Sequence, residues 1–154
     1  MKRTTLSVTL VTAFCALVLG GIAPALLANG RCSLHSVSGT FGYTLAGSIL
    51  AGPAAGPTAG TGIITLNADG TLSDGKQTRS FNGSIADETT DGSFTVNEDC
   101  TGEATVNVYD SGGNLVRTSL LHIVWDDGSS ELRGVFRSAY TAINVTGRKR
   151  RGND

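Results

Sequence analysis

Beyond residue 39 the apolar residues recur at every second position in short runs. Gly, Asn and Asp punctuate these runs, and no stretch sustains a 3.6-residue period. Residues 40–45 set Phe41, Tyr43 and Leu45 on one face. Residues 61–67 and 71–81 read as two strands joined at Asn67-Ala68-Asp69-Gly70, and Asn82-Gly83 is a strong hairpin signal leading into residues 84–96. Residues 103–109 put Ala104, Val106 and Val108 on one face, and Ser111-Gly112-Gly113-Asn114 turns the chain into residues 115–125, the most apolar of these segments. Asp126-Asp127-Gly128 then leads to 131–139, and 142–148 completes the set. Residues 51–60, with Pro53 and Pro57, are expected to form a loop without strand character.

About eight consecutive hairpin-linked strands without a helix admit two economical architectures, a β-sandwich or a closed β-barrel. Closure removes both sheet edges, and short sequential connections favour up-and-down order. Glycines within strands (Gly42, Gly62, Gly75, Gly134) suit tight coiling. The expected fold is an all-β, eight-stranded antiparallel up-and-down barrel, with the sandwich as the alternative.

The N-terminal segment changes how the rest is read. Lys2 and Arg3 precede an apolar stretch, and Pro24-Ala25-Leu26-Leu27-Ala28 supplies small residues for cleavage. Residues 1–28 are expected to be a signal peptide cut after Ala28, with Ala25 as the competing site, and an uncleaved anchor as the alternative. Cys15 follows Phe14 in mid-segment, a poor context for lipidation. Residues 29–147 would form the barrel and 148–154 a basic tail, in a secreted, periplasmic or envelope protein without an integral span after cleavage. Removing Lys2 and Arg3 leaves ten of the twelve basic residues against thirteen acidic ones, a formal charge of −3. With four positive charges gathered at Arg148, Lys149, Arg150 and Arg151, the body is acidic and lacks the basic face that nucleic acid requires.

Of three cysteines, Cys15 goes with the signal segment, leaving Cys32 and Cys100 as a pair. In an oxidising compartment such a pair reads as a structural disulfide. The long spacing, without Cys-x-x-Cys, argues against redox activity.

The segments Cys32-Ser33-Leu34-His35-Ser36-Val37-Ser38-Gly39-Thr40-Phe41-Gly42-Tyr43 and Phe94-Thr95-Val96-Asn97-Glu98-Asp99-Cys100-Thr101-Gly102 together resemble a group of small exported bacterial proteins. These in turn resemble the allene oxide cyclase-like barrels. The resemblance implies an eight-stranded barrel around an apolar cavity. In related proteins such a barrel serves as a cyclase or a pyocyanin demethylase, and it is often trimeric, so a homo-oligomer is a further expectation. The matched residues are structural, and no catalytic position carries over.

His122, between Leu121 and Ile123, is the first candidate for chemistry: its parity with Val116, Thr118, Leu120 and Val124 suggests a buried side. A lumen-facing His122 with an acidic partner, Glu88 or Glu131, would form the minimum catalytic set; a satisfied structural histidine is the plainer reading. His35 is expected to be exposed. The acidic pairs Asp87-Glu88, Glu98-Asp99 and Asp126-Asp127 alternate faces within strands or cap turns, so they make poor metal sites. Asn67, Asp69 and Asp74 lack the spacing of a calcium loop. Glu131, Arg133 and Arg137 read as a charged outer strand face. The sequence carries no nucleophile elbow, zinc spacing or phosphate loop, and calls for no cofactor. Two functions stand: an exported barrel that binds a small apolar molecule or serves structurally in the envelope, or a cofactor-free enzyme acting on a small hydrophobic substrate in the lumen.

Overall fold

The computed structural model describes residues 32–151. The signal segment, its cleavage site and Cys15 lie outside the described residues, as do the last three positions of the tail. A single-turn helix, α1 (Leu34–Val37), precedes eight strands: β1 (Gly39–Ile49), β2 (Gly56–Leu66), β3 (Thr71–Phe81), β4 (Ser84–Phe94), β5 (Thr101–Tyr109), β6 (Leu115–Asp126), β7 (Glu131–Phe136) and β8 (Thr141–Lys149). Each strand pairs antiparallel with the next, and β8 returns to pair with β1, closing the barrel in sequence order. The up-and-down barrel is the architecture adopted, and the sandwich is not. Among the described residues no helix is long and apolar enough to cross a membrane.

Several boundaries differ from expectation. β1 continues to Ile49, and β2 begins at Gly56, so half of the expected loop is strand. Pro57 is tolerated because it is the second residue of its strand, at the barrel's rim, where its carbonyl still accepts from the Asn82 amide. At the other end of the chain β8 runs to Lys149. Arg148 and Lys149 therefore belong to the barrel wall, not the tail. Arg148 pairs with Glu131, and Lys149 Nζ donates to the Ser36 carbonyl.

Alternation decides what fills the interior. Phe41 and Leu45 of β1 point in beside Ile64 and Leu66 of β2, Phe94 of β4, Ala104 of β5, Leu121, Ile123 and Trp125 of β6, and Ile143 and Val145 of β8. The turn at Asn82-Gly83 has positive φ at both residues (48° and 85°), the geometry that matches strand twist in a two-residue hairpin.

The two ends of the barrel differ. At the base, α1 lies across the opening: Ser33 and Ser36 form a reciprocal capping box, and Val37 is fully buried. Cys32 and Cys100 are disulfide-bonded there, with Cα atoms 4.9 Å apart, and the Cys32 amide donates to the Glu98 carbonyl. The opposite end, formed by turns 50–55, 82–83, 110–114 and 137–140, carries no such plug among the described residues and forms a mouth.

Candidate functional site

Just inside the mouth, on the wall made by β3, β4 and β6, the interior stops being apolar. On β3 a register shift between Leu72 and Gly75 moves the inward parity, so that Gln77 and Arg79 follow Leu72 onto the inner face, and on β4 the parity that buries Phe94 places Glu88 and Thr90 there too. On β6 it places Arg117 and Ser119 there. Antiparallel register brings Gln77 directly opposite Glu88. Gly62 of β2 makes room for them: a Cβ there would lie 2.8 Å from Gln77 Cβ and 2.9 Å from the Tyr43 hydroxyl.

The Glu88 carboxylate, 4% exposed, is the hub. Arg117 donates Nη1 to Oε1 and Nη2 to Oε2, each at 2.7 Å. Arg79 donates Nη2 to Oε1 at 3.1 Å and shares Nε between both oxygens at 3.2 and 3.3 Å. Gln77 Nε2 donates to Oε2 at 2.6 Å, and Tyr43 donates its hydroxyl to Gln77 Oε1 at 2.8 Å. Burial by itself would raise the Glu88 carboxyl. Hydrogen bonds from Arg117, Arg79 and Gln77, with the charge of Arg117, outweigh it and hold the group down at about 2. Burial pushes the Tyr43 phenol up to about 12. Thr90 Oγ1 is close enough to offset part of that rise, yet it is buried without a hydrogen bond of good geometry.

Beneath this layer lies an apolar cavity of about 80 Å³, bounded by Leu45, Ile64, Leu72, Val106, Leu121 and Ile123 among others. Tyr43, Gln77, Arg117 and Ser119 supply its polar border. Above the layer the mouth opens into a depression of about 750 Å³, to which Arg79, Glu88 and Arg117 contribute. Arg117 borders both spaces, so the ion-paired layer divides the mouth from the inner cavity.

The three sequence candidates do not meet. Glu88 faces the interior, while Asp87 beside it faces outward and accepts from Thr78 Oγ1 at 2.6 Å. His122 lies on the outer surface, paired across the wall with Glu103 and Val135, both exposed; the expectation of a buried side is overturned. The inward set on β6 is Ser119, Leu121, Ile123 and Trp125, and the set containing His122 leaves Val116 and Leu120 about half exposed. Both faces of this strand are apolar in sequence, and the bulkier set, with Trp125, fills the core. Glu131 is likewise outside, on Arg148, while Arg133 pairs with Asp126 and Arg137 with Glu103. The barrel wall thus separates His122 from Glu88, and His122 and Glu131, though on the same side, lie four register positions apart. Arg79, Arg117, Gln77 and Tyr43, which complete the Glu88 site, carry no local sequence signal beyond their parity.

Chemically, the layer is a poor proton shuttle. A carboxylate at about 2 is a weak base near neutral pH and carries no proton to give. What the site offers is an apolar chamber with oriented donors at one end. No known protein family, curated protein or solved structure matches the chain.

Proposed function

We propose that this chain is an exported barrel that holds a small apolar molecule in its interior. The observation that carries the reading is the cavity of about 80 Å³, whose walls are apolar except along the Tyr43–Gln77–Arg117 border. Ligand sites are characteristically apolar chambers with a few placed polar groups. The volume is several times what one water needs, and apolar cavities stay dry and accept small apolar guests. Export rests on the signal-like segment at residues 1–28, and the Cys32–Cys100 bond is in keeping with an oxidising compartment. The resemblance to allene oxide cyclase-like barrels belongs to the same proposal and rests on the motifs at residues 32–43 and 94–102. The enzymatic alternative has less behind it, because His122 and Glu131 lie outside and Glu88 is neutralised by two arginines.

Xenon and benzene, added in turn to methyl-labelled protein, test the cavity. Saturable shifts at Val106, Leu121 and Ile123 are expected. They should vanish in Ala104→Phe, which fills the space from a wall position that is 4% exposed. Unchanged spectra with both guests would refute the reading. Native mass spectrometry of protein purified from its own host would then identify a bound molecule by its mass.

A further inference from the structure

The mouth, as distinct from the inner cavity, has its own chemistry. Two guanidiniums face the Glu88 carboxylate, an excess of one positive charge within that cluster, while Asp87 and Asp110 stand at the edge of the same depression. Their depths are unequal: Glu88 is 4% exposed, whereas the side chains of Arg79 and Arg117 are 21% and 30% exposed. The anion is buried and the cations reach the mouth. Glu88 engages Nη1 and Nη2 of Arg117 and Nε and Nη2 of Arg79. A guanidinium carries five N–H donors, so each arginine keeps donors that Glu88 does not take. Arg79 is held in place by the Phe81 ring, 5.3 Å below its guanidinium carbon.

Around these cations the depression is bounded by Ile49, Phe81, Ile85 and Val116. Ile85 is 76% exposed and Val116 50%, and Leu50 on the 50–55 turn and Leu115 at the start of β6 are also exposed. Asp87 and Asp110 also border the space, but Asp87 is turned outward to Thr78 and Asp110 caps its own turn through Gly112 and Asn114.

We propose that the mouth binds a small amphiphilic carboxylate, its head group taken by Arg79 and Arg117 and its apolar part laid on the Ile49–Phe81–Ile85–Val116 rim. The spare guanidinium donors favour a carboxylate, and the carboxylates of Asp87 and Asp110 on the same depression disfavour a ligand with more than one negative charge. Arginine forks match planar carboxylates, as the Glu88 contacts already do. A depression of about 750 Å³ falls in the size range of small-molecule sites. This site does not depend on occupancy of the inner cavity.

Calorimetric titration with octanoate and octylamine below their micelle concentrations, and with octanol below its solubility limit, tests it. Octanoate should bind saturably, and octanol and octylamine about tenfold more weakly or worse. Arg79→Gln, which leaves the Arg117–Glu88 fork intact, should weaken octanoate about tenfold and leave octanol unchanged. Ala104→Phe should leave octanoate binding intact, which separates the mouth from the inner cavity. Equal affinities for octanoate and octanol, no saturable heat with octanoate, or loss of octanoate binding in Ala104→Phe would each overturn the proposal. Should Arg79→Gln fail to fold, the ligand series on the unaltered protein decides alone.

Discussion

Arg117 spans the Glu88 carboxylate, with Nη1 on Oε1 and Nη2 on Oε2, both at 2.7 Å. Two neighbouring residues could have been joined by chance of packing; these stand 29 positions apart and meet across the interior face of β4 and β6, strands that are not themselves paired. Breaking one side of such a buried pair strands the other charge. Arg117→Leu is expected to cost on the order of 3 kcal/mol, moderated because Arg79 and Gln77 still serve Glu88. The double variant Arg117→Leu/Glu88→Leu should recover part of that loss, since an apolar replacement removes the stranded carboxylate. Urea unfolding with the disulfide intact measures both. A double variant no better than the sum of its single changes would contradict the coupling.

The same pair makes stability depend on pH. The folded-state Glu88 carboxyl is depressed from 4.5 to about 2, so its contribution is present above the unfolded value and is lost as pH falls through the folded one. The window is therefore pH 4.5 down to about 2, and the magnitude is on the order of 3 kcal/mol. In Glu88→Gln the neutral side chain removes this titration. The variant should be less stable at pH 7 and should show a flatter acid limb. Thermal or urea unfolding at several pH values decides it: parallel acid limbs in the two proteins would mean that Glu88 is not the responsible group.

How far this site could be read beforehand varies with the strand. Clean alternation made β1 and β5 legible: Phe41 and Leu45, and Ala104 and Val108, are buried as their parity suggested. β6 was ambiguous because Val116, Leu120 and Val124 mimic Leu121, Ile123 and Trp125, and only packing around Trp125 chooses between the faces. Glu88 stood out as a candidate, but its arginines did not, since Arg79 reaches it from nine positions away and Arg117 from 29. Barrel closure and register assemble that contact, and neither is a local property. Pro57 misled for a related reason: proline argues against a strand interior, and only the closed barrel shows that this position is a rim.

His122 on the outer wall is expected to be dispensable. His122→Ala should change stability by no more than about 0.5 kcal/mol, the range of surface substitutions without a special partner. It should also leave xenon, benzene and octanoate binding unaltered. Loss of binding with stability retained would bring the histidine back into the function.

Thr90 presents the opposite case, an interior polar group that the fold does not satisfy. Its Oγ1 is buried without a hydrogen bond, while the residue as a whole is 5% exposed. Replacing an unpaired buried hydroxyl by a methyl of the same shape removes a desolvation cost. Thr90→Val is therefore expected to stabilise the barrel by about 1 kcal/mol in urea unfolding. A destabilised variant would show that the hydroxyl has a partner, most simply the Tyr43 phenol beside it.

The disulfide at the base acts on a different state of the chain. Cys32 and Cys100 are separated by 68 positions, so their bond restricts the unfolded ensemble over more than half of the described residues. For a loop of that length, chain-entropy arguments give about 4 kcal/mol. The bond also tethers α1, whose Val37 seals the core at the base. Cys32→Ser/Cys100→Ser should therefore lower stability by about that amount. Because the Glu88 layer lies at the opposite end, the variant's remaining folded fraction should keep its octanoate affinity. Calorimetry at a temperature well below the variant's melting point separates the two effects: weakened octanoate binding there would mean that base and mouth are coupled through the barrel.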